Sequence, residues 1–450
     1  MGSFSKVQVL VGLVLLVGGG AAQTAGEWAQ CGGTGWNGPK TCDSGLVCNV
    51  VNEWYSQCIK GTSSAPTTPP PTTQPPTSQP PTTTSAPPPA ATGFVKTSGT
   101  RFTLNGAKYT VVGSNSYWVG LGELSDADMS KAFADVAGAG GTVVRTWGFN
   151  EVVGTPTWGE YYQSWSGGKA TINTGAKGLA HFDKVVAAAK ANGIRLIVAL
   201  TNNWSDYGGM DVYVNQILGQ GKAHDLFYTD AAVIAAFQTY VKTFVSRYKD
   251  EPTILGWELA NEPRCRGSTA ATSGTCTPAT ITKWATTMGA FIKSVDSNHL
   301  VALGDEGFYN QPGAASYPYQ GGEGIDFDAN LKIPSMDFGT VHMYPEHWGE
   351  TANAAAWGVK WINDHAASQK AANKPVILEE FGMTTAADKA LIYPQWFSAI
   401  QNSGLAGDLI WQAGSHYSWG SSHDDGYAVY PDSPSYKLLA DHARAMKARA

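Results

Sequence analysis

Charge is scarce in this chain of 450 residues. Asp, Glu, Lys and Arg together make up 15%, and 30 basic side chains face 36 acidic ones, for a formal net charge of −6. An acidic balance argues against nucleic acid as a partner, because a phosphate backbone is met by clustered Lys and Arg. It gives no support to an anionic membrane surface either. Long apolar runs are lacking beyond the N-terminus, so no later stretch can span a bilayer. No glycine-rich phosphate motif follows the first apolar run of the C-terminal part, which argues against a nucleotide-binding sheet. Cysteine is rare as well: there are six, and four of them crowd into residues 26–60.

Aromatic residues, by contrast, are plentiful at 11%, with 16 Trp. Flat apolar rings with little charge suit sugar faces better than phosphates. The N-terminus reads as a secretory leader over residues 1–22. Lys6 supplies the positive start, Val7 to Val17 the apolar centre, and Gly20-Ala21-Ala22 a small-residue cleavage site. The alternative, a membrane anchor, needs a run of about 20 apolar residues, longer than this one. A secreted, extracellular protein is expected, in which disulfides persist.

Residues 26–60 form a unit too short to bury much of a core, so cross-links must stabilise it. Cys31, Cys42, Cys48 and Cys58 permit three pairings. Trp28, Trp54 and Tyr55 are many large rings for so small an interior. Either they are its core, or some are exposed and mark a binding surface. The stretch CGGTGWNGPKTCDSGLVCNVVNEWYSQC closely resembles a fungal family 1 carbohydrate-binding module. The resemblance implies disulfides Cys31–Cys48 and Cys42–Cys58. It also implies a flat face of Trp28, Trp54 and Tyr55 that stacks on crystalline cellulose, with Asn52 and Gln57 hydrogen-bonding to it. Residues 61–92 are nearly all Pro, Thr, Ser, Ala and Gln without one charge. Such a composition cannot pack, favours extended polyproline II and reads as an O-glycosylated spacer.

From residue 93 to residue 450 short apolar runs alternate with helical patterns, as in βα units around a parallel sheet. Strands are expected at Tyr109–Gly113, Thr142–Thr146, Arg195–Leu200, Ile254–Leu259, Leu300–Leu303, Phe338–Val341, Pro375–Leu378 and Gly407–Trp411. Helices are expected at Asp126–Ala139, Leu179–Asn192, Ala231–Tyr248, Ile281–Val295, Ala354–Lys370, Ala387–Asn402 and Lys437–Ala450, with a small hairpin over Phe94–Leu104. Eight strands in this length fit a (β/α)8 TIM barrel with long loops on one face; the alternative is an open doubly wound sheet.

In such a barrel the chemistry sits at the C-terminal strand ends. The stretch ILGWELANEPR turns from apolar to polar at Asn261, Glu262 and Arg264. A carboxylate and an amide there are costly unless hydrogen-bonded or used, though capping of the next helix is the plain alternative. Other strand ends give Arg145, Thr146 and Trp147; Asn202, Asn203 and Trp204; His342 and Tyr344; Glu379 and Glu380; and Trp411. Paired carboxylates among aromatic platforms are what glycosidic cleavage needs: an acid for the leaving oxygen and an ionised partner for the oxocarbenium-like centre.

The stretches VVRTWGF, TNNWSDYGG, WELANEPRC, VHMYP, ILEEFG and GDLIWQ closely resemble glycoside hydrolase family 5, and within it the endo-β-1,4-mannanases of fungi and plants. The resemblance implies Glu262 as acid/base and Glu380 as nucleophile, since the family's nucleophile directly precedes the aromatic-Gly pair. It implies Asn261 at the sugar 2-hydroxyl, Arg145 and Tyr344 hydrogen-bonded to Glu380, and His342 lining the same subsite. Trp411 becomes a stacking floor, Trp147 and Trp204 parts of the cleft, and Arg264 an aglycone-side contact. On an alternating strand Glu379 and Glu380 would point to opposite sides. Glu262 should carry a pKa raised by burial and by Glu380. Retention predicts a carboxyl separation of about 5–5.5 Å.

No metal or cofactor is called for, and a monomer is expected. Its partners would be β-mannan and a cellulose surface, with no nucleic acid and no membrane. The rival readings are an endo-β-1,4-glucanase on the same barrel and a non-catalytic wall-binding protein. His423-Asp424-Asp425 reads as a solvated loop rather than a metal cluster, and His181 as structural. Asn203-Trp204-Ser205 matches the N-glycosylation pattern but falls in the cleft, so it should be unmodified. Cys265 and Cys276 bracket a Gly/Ser/Thr-rich loop, where a disulfide is expected over two free thiols.

Overall fold

The computed structural model describes residues 24–25, 30–32, 38–52, 55–60, 92–156, 159–269 and 271–449. The expected leader over 1–22 and the spacer up to residue 91 lie outside them, as do Trp28 and Trp54. Of Asn52, Tyr55 and Gln57 the backbone alone is described. The chain divides into two units, Met1–Thr83 and Thr84–Ala450.

In the first unit, strands Gln30–Gly32, Leu46–Asn52 and Tyr55–Lys60 form an antiparallel sheet with the last one central. Cys31–Cys48 and Cys42–Cys58 are disulfide-bonded. Ala25, Cys31 and Cys58 are its small buried core, with Cys42 and Leu46 packed against them. The covalent links thus replace a core that this length cannot supply.

Among the described residues of the second unit, eight parallel strands build a barrel: Val111–Asn115 (β1), Val143–Trp147 (β2), Arg195–Ala199 (β3), Ile254–Glu258 (β4), Leu300–Ala302 (β5), Gly339–Met343 (β6), Val376–Phe381 (β7) and Gly407–Ile410 (β8). Their order is β5-β4-β3-β2-β1-β8-β7-β6. The seam between β5 and β6 is bridged: Asp337 N–H donates to the Val301 carbonyl at 2.8 Å and His342 N–H to the Glu306 carbonyl at 3.1 Å. Except for Gly113, every residue of these strands is buried. Both faces are covered, which is why the strands read as unbroken apolar runs rather than alternating ones.

Helices Asp126–Gly138 (α1), Leu179–Ala191 (α2), Ala231–Tyr248 (α3), Pro278–Val295 (α4), Phe327–Leu331 (α5), Ala354–Ala372 (α6), Ala386–Ser403 (α7) and Pro434–Ala448 (α8) alternate with the strands. Their starts are set by local chemistry: Ser125, Asp230 and Thr385 each cap a helix by accepting a backbone N–H of its first turn. The hairpin of Val95–Ser98 and Arg101–Leu104 closes the barrel's foot. There Val95 and Phe102 join Val111, Val143, Ile197, Leu255, Ile377 and Leu409 in one buried layer. With the foot filled, the open end is the one carrying the C-terminal strand ends.

The TIM barrel is as expected; its strand ends shift. β1 begins at Val111 rather than Tyr109, β6 runs on through Met343 and β7 through Phe381. Polarity begins at His342 and at Glu379, yet in a barrel the polar tops remain in the ladder. A three-stranded excursion after β2, Glu151–Val153, Gln163–Ser166 and Lys169–Ile172, and a helix at Met210–Leu218 were not anticipated.

Candidate active site

Glu262 follows β4 on a tight bend. Its φ of 51° lies in the left-handed region, rare for a residue with a side chain. The bend is held from both sides: Asn261 N–H donates to the Thr201 carbonyl at 2.8 Å and Glu262 N–H to the Gly304 carbonyl at 2.9 Å. Gly304 (φ 86°) is needed there, since a Cβ would collide with the Ala260 carbonyl and with Glu258. The bend turns the Glu262 carboxylate back over the barrel mouth. Its Oε2 accepts from Trp204 Nε1 at 2.6 Å, and its Oε1 lies 2.7 Å from His342 Nδ1.

Across the mouth, β7 supplies two consecutive carboxylates. Opposite directions were expected, but Glu379 and Glu380 converge on the same partners. Glu379 Oε2 is 3.4 Å from Arg145 Nε and 3.7 Å from His342 Nε2, while Glu380 Oε2 is 3.5 Å from His342 Nδ1. The β6–β7 register explains this: Val341 faces Leu378 and His342 faces Glu380, leaving Glu379 as an extra residue that breaks the alternation. Glu380 faces the cleft and accepts from Tyr344 Oη at 2.8 Å and from Arg145 Nη1. Glu379 is fully buried behind it.

Arg145 on β2 ties the floor together with all five of its N–H groups. Nε and Nη2 each donate to Glu258 at 2.7 Å, Nη2 also to Asn261 Oδ1 at 2.7 Å, and Nη1 to Asn115 Oδ1 at 3.2 Å and to Glu380. The planar guanidinium fork makes this possible. Asn261 in turn donates one amide hydrogen to Asn202 Oδ1 at 3.0 Å, which fixes its orientation.

An oxygen of Glu262, an oxygen of Glu380 and a ring nitrogen of His342 all lie within 4.8 Å of one another. The set has the composition of a metal site, but a guanidinium donating to the same Glu380 carboxylate disfavours a cation. The pair instead spans the reach of one sugar carbon.

The electrostatics correct one expectation. Burial opposes ionisation of Glu262, but the hydrogen bond and charge of His342, the charge of Arg264 and the Trp204 N–H outweigh it and hold its pKa down to about 2. Its immediate neighbour is the imidazole, not Glu380. Burial likewise opposes charge on His342, yet Glu380, Glu262 and Glu379 raise its pKa well above the ordinary histidine range. The two shifts share one cause: the close Glu262–His342 contact favours the ionised form of each partner. Glu380 is raised by burial, with His342 and Arg145 pulling the other way. Glu379 is raised to about 7 by burial and by the charge of Glu258.

These groups open into a cleft of about 880 Å³. Trp147, Trp204, Asn261, Glu262, Arg264, Tyr344, Glu380 and Trp411 line it. His342 does not: it is fully buried behind Glu262, so the expectation that it lines a subsite gives way to a role beneath the surface. Trp411 stacks on Tyr117 at 5.3 Å with the planes 3° apart, and its Nε1 donates to Asp425 Oδ2 at 2.7 Å. The 423–425 loop is exposed as expected but is also cleft wall, since His423 Nδ1 lies 3.1 Å from Tyr117 Oη. Arg264 is sandwiched between Trp204 and Phe308 at 5.1 and 5.0 Å and paired with Glu306 through Nε at 2.7 Å. Cys265 and Cys276 are bonded just beyond it. Asn203 is fully buried, donating to the Arg266 carbonyl and accepting from Arg264 N–H, both at 3.0 Å.

Sequence reasoning missed Glu258, Glu306, Tyr117 and Tyr207. Glu258 carried a usable signal, a carboxylate inside the apolar run of β4. Glu306 follows β5 as Glu262 follows β4, and could have been found by the same rule. Tyr117 and Tyr207 offered no signal beyond loop aromatics.

A family model described as cellulase (glycosyl hydrolase family 5) matches residues 113–417, and one described as fungal cellulose binding domain matches residues 27–55. The chain is 43% identical to a probable mannan endo-1,4-beta-mannosidase F of Emericella nidulans, over 97% of this chain and 98% of that one. It is 40% identical to the mannan endo-1,4-beta-mannosidase F of Aspergillus fumigatus, over 96% and 98%. The crystal structure of an endo-1,4-beta-mannanase from Rhizomucor miehei superposes with a TM-score of 0.74 at 40% identity, covering 79% of this chain and all of that one.

Proposed function

We infer the function from one premise: the chain belongs to glycosyl hydrolase family 5. It is a mannan endo-1,4-β-mannosidase that cleaves internal β-1,4-mannosidic bonds of mannan, glucomannan and galactomannan. The observation that supports the reading most is the facing of Glu262 and Glu380 within 4.8 Å, in a chain 43% identical over nearly its whole length to a mannan endo-1,4-beta-mannosidase. That spacing suits retention; inversion needs roughly 6.5–9.5 Å to admit a water.

In the proposed reaction, Trp411 stacks under the sugar and Asn261 holds its 2-hydroxyl. The Glu380 carboxylate, kept ionised by Arg145 and Tyr344, attacks the anomeric carbon. The bond to the leaving oxygen breaks, and that oxygen takes a proton from Glu262. The proton reaches Glu262 Oε1 from His342 Nδ1 along their hydrogen bond, leaving a neutral imidazole with its proton on Nε2. In the second half, Glu262 takes a proton from water, the hydroxyl oxygen attacks the anomeric carbon, and Glu380 leaves as carboxylate.

The N-terminal module holds the enzyme on cellulose through Trp28, Trp54, Tyr55, Asn52 and Gln57, and the 1–22 leader sends the protein out of the cell. The description of the family model as cellulase keeps an endo-β-1,4-glucanase as the second reading. Reducing ends released from linear mannan and from soluble cellulose separate the two. Release from mannan, with the β-anomer appearing first by NMR, is expected; release from cellulose alone overturns the assignment.

A further inference from the structure

We propose that Trp419, backed by Tyr417, is a second sugar-stacking platform on the barrel rim, holding a pyranose unit of the substrate chain beyond the glycone end of the cleft. Among the described residues Trp419 is the one exposed tryptophan, at 61%. The other exposed large aromatic side chains, Tyr207 and Tyr317, both line the cleft. Leaving an indole in water forfeits the gain of burying it, and what sets this ring apart from a stray surface residue is that it is held in place on its other side.

This ring is not loosely held. It sits at the tip of a hairpin whose arms, His416–Tyr417 and Gly420–Ser421, are paired. One of its faces rests on Tyr417, with centroids 4.9 Å apart and planes 21° from parallel. Its Nε1 donates to Asp128 Oδ2 at 3.1 Å. Tyr417 meets the ring of Trp118 edge-on at 6.4 Å, and Trp118 Nε1 donates to Gln412 Oε1 at 3.0 Å, the residue after Trp411. A continuous set of contacts thus leads from the cleft floor to the hairpin. A fixed aromatic ring with a free face is pre-organised for the C–H face of a sugar and loses little entropy on binding.

Its place in the barrel selects the occupant. Asp128 lies in the first turn of α1, and in a β/α barrel helices start at the rim where strands end. Trp419 is therefore on the catalytic face, over β8 and β1. In the strand order these lie across the barrel from β4 and β5, whose following segments carry Arg264 and Glu306. A chain entering over Arg264 and crossing Glu262, Glu380 and Trp411 leaves over the β8–β1 rim. A neutral β-1,4-linked polysaccharide is the ligand that would reach both places at once.

The inference rests on the mannan reading above, and the test separates the two. In the full chain, Trp419→Ala should raise KM for long soluble glucomannan about three- to tenfold with kcat unchanged, and leave mannotriose kinetics unaltered. Trp419→Tyr should recover most of the loss. In parallel, mannohexaose binding is measured by calorimetry in a Glu380→Gln background with and without Trp419→Ala. A parent chain that does not cleave mannan sinks the functional reading; the calorimetric difference then still decides the platform. Equal hexaose binding, equal KM on the long chain, or equal losses on long and short substrates each overturn it.

Discussion

His342 Nδ1 lies 2.7 Å from Glu262 Oε1, and the same imidazole faces Glu380 and Glu379. One buried ring thus balances three carboxylates, and Glu262 is governed by it more than by the carboxylate across the cleft.

That balance predicts the shape of the pH profile. With Glu380 as the proposed nucleophile, its raised pKa should set the acid limb. With Glu262 as the proposed acid and His342 as its proposed proton source, the raised His342 pKa should set the alkaline limb. Replacing His342 with Gln should move the alkaline limb of kcat/KM to lower pH and lower the maximum about 10²- to 10⁴-fold. An unmoved alkaline limb would show that the proton does not come from this ring.

The same pair ties stability to pH. Glu262 is depressed to about 2, so its contribution is complete above the ordinary value and lost as pH falls toward about 2. His342 is raised, so its contribution is complete below its ordinary value and lost as pH rises through the folded one. The loss of urea stability in His342→Gln should therefore be greatest between about pH 4.3 and 6.5, the two ordinary values. A loss independent of pH contradicts the ion pair.

The two carboxylates should fail differently. Glu262→Gln lowers turnover of mannan about 10²- to 10⁴-fold, and an aryl mannobioside with an acidic phenol recovers much of its glycosylation step because its leaving group needs no proton. Glu380→Gln recovers nothing with either substrate. Burst kinetics with the aryl substrate read this directly, and equal recovery in both variants would refute the assignment.

Arg145→Lys should not be tolerated. Five directed N–H bonds become at most three, leaving Glu258 or Glu380 buried and short of a partner. A loss of about 3–5 kcal/mol is expected. Thermal unfolding measures it, and a melting temperature within a degree of the parent's would argue that the floor adapts.

Removing the Cys265–Cys276 link by a double Ser substitution frees a short loop, worth at most about 3 kcal/mol by chain entropy. The loop is also tied by Thr269 to Asp211, by Ser273 to Asp225 and by the His224 N–H to the Ala271 carbonyl. The melting temperature should fall with kcat nearly constant; a collapse of kcat would show that the loop positions Arg264.

The barrel was legible because parallel strands covered on both faces leave unbroken apolar runs, and Glu262 and Glu380 stood out as carboxylates at their ends. Glu258 was overlooked for the reason it matters: it sits inside such a run, paired to Arg145 from a neighbouring strand, and no local pattern reveals the partner. The convergence of Glu379 with Glu380 was also hidden, since one extra residue in the β6–β7 register overturns the two-residue period. The 151–172 excursion escaped because its strands are short, and the outermost of them, Lys169–Ile172, carries no buried residue.

The seat of Asn203 has a bearing on how the protein is made. Its amide is enclosed by Arg266, Arg264 and His224, yet the nascent chain displays the same Asn-Trp-Ser triplet before any of them is in place. A cell that attaches glycans during synthesis meets that triplet first, and a chain modified there could not close the loop around it. Yield from such a host should rise when Ser205, whose hydroxyl is dispensable to the fold's contacts at Asn203, is exchanged for Ala.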